Sequence, residues 1–177
     1  MGYNIVSLGD LMEQRSGQMV DEILLGFSCS KDEDVQRYIR KTAVKHELAQ
    51  ISRTYLIFDT EPTERLVAYI TLAVRCLNVG DERLNEDLSE RMNFNNGTAQ
   101  SYLIGQLGKV DGYGKNIGDY AMVFASGIIR RANLLVGCRT IRLDCKDALV
   151  GYYEKKGFDL LSRDAKKGLN RMVKILS

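Results

Sequence analysis

The run Asp111-Gly112-Tyr113-Gly114-Lys115-Asn116-Ile117-Gly118 carries the best chemical signal in this 177-residue chain. Before it lies Tyr102 to Val110, which reads as a strand with two interior glycines, Gly105 and Gly108. After it, Ile117, Tyr120, Ala121, Phe124, Ile128 and Leu135 recur at helical spacing. A glycine loop between a strand and a helix exposes main-chain N–H groups at a helix N-terminus. Those donors and the helix dipole favour phosphate oxygens. Lys115 adds a cation. The P-loop pattern G-x-x-x-x-G-K-[ST] is absent. The dinucleotide pattern G-x-G-x-x-G fails because its third glycine falls one residue late, at Gly118, and the front half offers no repeated βαβ plan. Two readings stay open: a loop for the pyrophosphate of a CoA-type ligand, and an ordinary tight turn.

Other reactive groups are sparse. His46 is the only histidine, which leaves little room for a Ser-His-Asp or Cys-His mechanism. Cys29, Cys76, Cys138 and Cys145 are widely spread without a C-x-x-C pair, so buried free thiols are expected and a metal site is not. Cys145 falls at a strand end, where a buried thiol is a better reading than a nucleophile. Glu47, Asp144 and Glu154 are available carboxylates, and no spacing singles one out as a base.

These residues need a scaffold. Asp10 is expected to cap a helix running towards Leu25, and Lys31-Asp32-Glu33-Asp34 opens a second, with Val35, Tyr38, Ile39 and Thr42 on its inner side. Tyr55 to Phe58 and Leu66 to Val74 read as an antiparallel hairpin around a turn at Asp59 to Glu64. Asp81 to Arg91 reads as a polar helix and Phe94 to Gly97 as a loop. The long helix after Gly118 should end at Gly137. Thr140 to Cys145 alternates as a strand, Ala148 to Lys156 is a short helix stopped by Gly157, and Phe158 to Leu161 and Met172 to Leu176 are late strands. The pattern is α+β around one central sheet, as a single domain over 1–177.

Charge is uneven. Residues 130–177 hold 12 Lys+Arg against 5 Asp+Glu, and residues 1–129 hold 13 against 18. The basic third suits an anion such as CoA or RNA, or a solvated surface. No apolar run reaches the roughly 18 residues of a membrane span, and the start lacks a signal-peptide pattern, so a cytoplasmic location without membrane attachment is expected.

Several segments resemble the GNAT superfamily of N-acetyltransferases. Leu107-Gly108-Lys109, the loop to Gly118 and its helix resemble that family's acetyl-CoA segment. Leu143-Asp144-Cys145-Lys146-Asp147 and Tyr152-Tyr153-Glu154-Lys155-Lys156-Gly157-Phe158 resemble its final strand, helix and Y-E-x-x-G-F signature. Phe27-Ser28-Cys29 and Ile51 to Leu56 resemble the branch that includes toxins of toxin–antitoxin pairs. The likeness covers roughly residues 25 to 160. The family loop reads Q/R-x-x-G-x-G/A; in the register ending at Gly118, Tyr113 takes the Gln/Arg position and Asn116 the middle glycine.

The resemblance implies a mostly antiparallel mixed sheet flanked by helices and acetyl-CoA as cosubstrate, without a metal. The implied cofactor contacts are Leu107, Gly108 and Lys109 on the strand, then Tyr113, Gly114, Lys115, Asn116, Ile117 and Gly118 on the loop. Tyr153, matching the signature tyrosine, is the implied proton donor to the CoA thiolate. The acceptor is a primary amine, on a small molecule, a protein or an aminoacyl-tRNA, with Arg37, Arg40, Lys41, Lys45, Arg130 and Arg131 as phosphate contacts in the last case. The family's habits leave a homodimer and an antitoxin partner open. The altered loop keeps a second reading in play, a catalytically weak or inactive CoA-binding or interaction module on the same fold.

Overall fold

Ser7 ends the first strand and begins the first helix. Strand β1 (Tyr3–Ser7), which the sequence reading did not anticipate, leads into α1 (Leu8–Gln14), where the Ser7 hydroxyl accepts the Asp10 N–H at 3.0 Å. Arg15 then turns extended, and the Ser16 hydroxyl accepts from Met19 N to open α2 (Gly17–Leu25). The single helix expected from an Asp10 cap is therefore two, each started by a serine, and Asp10 lies inside the first turn. The computed structural model describes residues 2–78, 86–92, 97–114 and 116–176. The first part of the expected helix at 81–91, most of the loop at 94–97, and Lys115 lie outside the described residues.

Helix α3 (Glu33–Lys41) begins as the sequence predicts. Asp32 caps it, Glu33 and Asp34 sit in its first turn, and Arg40 and Lys41 sit in its last, all favourable to the helix dipole. Helix α4 (Ala43–Leu48) follows. Strands β2 (Arg53–Asp59) and β3 (Arg65–Asn78) form the expected antiparallel hairpin, with register from Arg53↔Leu72 to Asp59↔Arg65. Helix α5 (Glu86–Met92), strand β4 (Thr98–Lys109) and helix α6 (Ile117–Leu135) come next. Gly137 does not adopt the left-handed cap geometry. Instead the Asn133 side-chain carbonyl accepts the Cys138 N–H at 2.8 Å beyond the helix end. After β5 (Thr140–Cys145), a 3-10 turn and α7 (Val150–Glu154) stop at Gly157, whose φ of +79° suits glycine. Strands β6 (Asp159–Asp164) and β7 (Leu169–Ile175) close the chain.

The strands hydrogen-bond in the order β1-β2-β3-β4-β5-β7-β6. Among the described ladders, β1–β2, β2–β3, β5–β7 and β6–β7 are antiparallel, and β4–β5 is parallel. The β4–β5 ladder stops at Ile104↔Leu143, leaving Gly105 and Asp144 outside it.

The chain forms two compact units, Met1–Ala73 with Gln106–Ile128, and Val74–Gly105 with Ile129–Ser177. In the first, Leu8, Leu24, Phe27, Ile39, Leu56 and Tyr69 are fully or almost fully buried in one cluster. Each such side chain contributes roughly 1.5–3 kcal/mol by leaving water. The cluster fastens α1 to α4 onto the hairpin. In the second, Leu77, Met92 and Val173 form a smaller cluster with Leu161 and Ile175 packed on it. Among the described residues no helix is long and apolar enough to cross a membrane.

Candidate phosphate-binding turn and tyrosine site

The glycine loop has a closed half and an open half. Val110 N donates to Val67 O at 2.9 Å, which continues the pairing of β4 with β3 into the turn. Tyr113 N then donates back to Val110 O at 3.2 Å, with Gly112 at φ +71° in the turn position that favours glycine. Asp111 clamps this half from the side. Its N–H donates to Ser28 O at 2.9 Å, while its carboxylate accepts from the Ser28 hydroxyl at 2.9 Å and from Ser30 N. Those bonds, Ser30 N–H first and the Ser28 hydroxyl next, hold the Asp111 carboxyl below the ordinary carboxylate range.

Tyr113 points inward. Its ring is buried, and its hydroxyl donates its one proton to Asp59 Oδ2 at 2.7 Å and accepts from the Tyr3 hydroxyl at 3.1 Å. Burial, followed by the bonds with Tyr3 and Asp59, pushes this phenol well above its ordinary range. The Arg65 guanidinium lies 5.7 Å from the ring centroid. Tyr3 packs its own ring, tilted, against Tyr120 of α6 at 4.9 Å between centroids, so β1 braces both the turn and the helix that follows. A cavity of about 160 Å³ lies between Arg65 to Val67 and the turn from Val110 to Tyr113.

The open half starts at Gly114. Gly114 and Asn116 are exposed, and Ile117 is buried as the anchor of α6. The Tyr120 N–H bonds to Asn116 O, the first bond of the helical ladder. That pattern leaves the N–H groups of Ile117 and Gly118 without intrahelical partners at the N-terminus of a 19-residue helix. Lys109 folds back, its Nζ donating to Tyr113 O at 3.4 Å. Leu107 is half-buried. Gly108 is buried for a packing reason: a Cβ there would stand 2.5 Å from Tyr69 Cε1 and 2.5 Å from Val35 Cγ1. The structure thus gathers Lys109, Tyr113, Gly114, Asn116, Ile117 and Gly118 in one turn, with the Tyr113 side chain facing the protein core.

In the second unit, Tyr153 on α7 is buried, its ring 5.0 Å from Tyr152 and 5.9 Å from Phe158. Burial, and then the neighbouring Cys145, push its phenol up to about 12, and its hydroxyl makes no hydrogen bond among the described residues. The helix is steadied at its start by Asp147, which accepts from Asn170 Nδ2 at 2.6 Å and from Arg163 Nη2 at 2.9 Å. Cys145 is buried beside it. Desolvation, with Asp144 and Asp147 adding to it, raises its thiol to about 11, so it stays protonated near neutral pH and is a poor nucleophile.

Other sequence candidates have structural employment. Buried Glu47 accepts from Arg53 Nη1 at 2.8 Å and from Thr54 N at 2.9 Å, which occupies both oxygens. His46 Nδ1 lies 3.3 Å from the Tyr38 hydroxyl. Arg40 Nε donates to Phe27 O at 2.9 Å, and Arg37 pairs with Asp34. Lys41, Lys45, Arg130 and Arg131 are exposed. Cys29 and Cys145 are buried as expected, whereas Cys76 is exposed and Cys138 half-buried. Among the described residues no group of His, Cys, Asp or Glu is arranged to hold a metal. Sequence reasoning missed Tyr3, Asp59, Ser28 and Ser30. The alternation Tyr3-Asn4-Ile5-Val6 was a usable strand signal for the first of these.

No protein-family model matches the chain. No curated protein matches it. Solved structures do. AtaT complexed with acetyl-methionyl-tRNAfMet is 18% identical at a TM-score of 0.75, over 98% of this chain and 95% of that chain. A Tyr-to-Phe mutant of KacT is 17% identical at 0.74, over 97% and 94%. AtaTR bound with AcCoA is 18% identical at 0.70, over 98% and 92%. The fold is therefore the GNAT-like α+β fold, a mixed seven-stranded sheet flanked by helices. Within that class, this chain is structurally similar to the toxin AtaT and to KacT.

Proposed function

We propose that this protein moves an acetyl group from acetyl-CoA to a primary amine. One observation carries the reading: the turn after β4 delivers exposed Gly114 and Asn116, with the N–H groups of Ile117 and Gly118 that lack intrahelical partners, to the start of α6. Those amides, with Lys115, are the proposed grip on the pyrophosphate. The fold shared with AtaTR bound with AcCoA supports that ligand.

The chemistry then needs three groups. The amine nitrogen attacks the thioester carbonyl carbon, the C–S bond breaks, and the sulfur takes the electron pair. Main-chain N–H groups of Leu107 to Lys109 are proposed to steady the carbonyl oxygen as negative charge builds on it. The Tyr153 hydroxyl, protonated and without a hydrogen bond among the described residues, is proposed to pass its proton to the departing sulfur. The amine attacks in its neutral form; once bonded to the acetyl carbon the nitrogen is cationic and loses a proton to solvent, and the Tyr153 phenolate takes one proton back from solvent. No covalent intermediate on the protein is required, in keeping with the protonated Cys145 thiol.

For the acceptor, the amino group of an aminoacyl-tRNA is favoured over a small-molecule amine. The supporting observation is the likeness to AtaT complexed with acetyl-methionyl-tRNAfMet. By the same likeness, AtaT having been solved with the antitoxin AtaR, a small antitoxin is the proposed protein partner, acting in the cytoplasm. A homodimer belongs to the same reading and is checked by sedimentation. The decisive experiment is thiol release from acetyl-CoA with charged tRNA and with a panel of small amines. Release with charged tRNA supports the reading, and acetyl-CoA binding without release to any acceptor overturns it.

A further inference from the structure

The second unit holds an arginine cluster that its own contacts leave incomplete. Arg142 on β5 and Arg171 on β7 both reach for the end of β3. Arg142 Nη1 donates to Cys76 O at 3.3 Å, and Arg171 Nη1 donates to Asn78 O at 3.1 Å. Each guanidinium is thereby fixed at one end. The Nε–H of each is buried and finds no hydrogen-bond acceptor. Two such orphans side by side are unusual, because a buried donor without a partner costs about 1–3 kcal/mol.

The charge balance points the same way. Arg75, exposed on β3, adds a third guanidinium whose field reaches Arg142. Among the described residues one carboxylate faces them, Asp144, and its Oδ1 stands 3.9 Å from Arg171 Nε, outside hydrogen-bond reach. Burial, with Arg171 and Arg75 adding to it and Asp144 opposing, holds Arg142 below its ordinary range. Among the described residues the cations here outnumber the carboxylate, and a bound anion relieves their mutual repulsion.

We infer that Arg142 and Arg171, with Arg75 at the rim, form a binding site for a phosphate group. The guanidinium fork matches phosphate oxygens with two parallel N–H donors, which an ammonium cannot reproduce. The phosphodiester backbone of an RNA acceptor is the favoured source, and for that occupant the inference rests on the aminoacyl-tRNA reading. Free inorganic phosphate is the other source of the same chemistry.

The test measures binding without acetyl-CoA. A fluorescent RNA hairpin with a single-stranded 3′ end is titrated with wild type, with Arg142→Gln/Arg171→Gln and with Arg142→Lys/Arg171→Lys, and inorganic phosphate is titrated in parallel. Both double variants should bind RNA at least tenfold more weakly, the lysine pair included, while their affinity for acetyl-CoA is unchanged. Should the double variants lose their fold, Arg75→Gln on the exposed rim should still weaken binding about threefold. RNA and phosphate affinities that match wild type in folded variants overturn the site. Arginine-dependent phosphate binding without RNA binding supports the site and assigns it to a small anion. Arginine-dependent RNA binding without acetyl transfer keeps this site and removes the transferase reading; transfer with arginine-independent binding does the reverse.

Discussion

The Tyr113 hydroxyl donates to Asp59 Oδ2 at 2.7 Å and so ties the turn after β4 to the end of β2. Both partners are buried, and the same hydroxyl also reaches Tyr3. Where the resembling family places Gln or Arg, this chain has an aromatic side chain anchored inward. The turn is thus held by its side chain from the protein side, which leaves main-chain groups of the following residues for a ligand.

Tyr113→Phe removes that donor and leaves a buried carboxylate oxygen short of one bond. A hydrogen bond to a charged group is worth about 1.5–3 kcal/mol, so thermal unfolding should show a loss of that order. The acetyl-CoA dissociation constant, read by calorimetry, should rise as the turn loosens. Unchanged stability and affinity would show that the bond does not hold the turn.

Tyr153→Phe tests the proton donor. Turnover should fall roughly 10²–10⁴-fold, the usual yield of general acid–base catalysis, while acetyl-CoA affinity stays near wild type. Equal losses in both would mark Tyr153 as a packing residue instead.

Alkaline stability follows from two raised groups. Cys145 moves from its ordinary 9.0 to about 11, and Tyr153 from 10.0 to about 12. Between those values the unfolded chain has lost protons that the folded chain keeps. Stability is therefore complete below about pH 9 and declines as pH rises towards 12. Denaturant midpoints across that range should fall, and Tyr153→Phe should shrink the decline at its upper end. A flat profile would contradict both shifts.

Gly108→Ala tests the tight approach in β4. The new methyl would meet Tyr69 and Val35 at 2.5 Å, closer than carbon atoms tolerate. Overpacking of this kind costs about 1–3 kcal/mol, which a lowered melting temperature should register. An unaffected melting temperature would mean that the ring and the valine yield freely.

Residue order alone was enough for the elements whose signals are local. The hairpin, α3 with its Asp32 cap, β5 and the stop at Gly157 lie where alternation, capping chemistry and glycine's left-handed freedom put them, because neighbours along the chain set those preferences. The strand–glycine turn–helix unit was legible for the same reason. What each side chain there does depends on partners brought in from distant segments. Tyr113 turns inward because Asp59 and Tyr3, 54 and 110 residues away, supply its partners. Gly108 is small because Tyr69 and Val35 crowd it, and the paired arginines of β5 and β7 meet only through the register Asp144↔Arg171. Contacts between distant segments depend on how the sheet is ordered, and spacing along one chain carries no record of that.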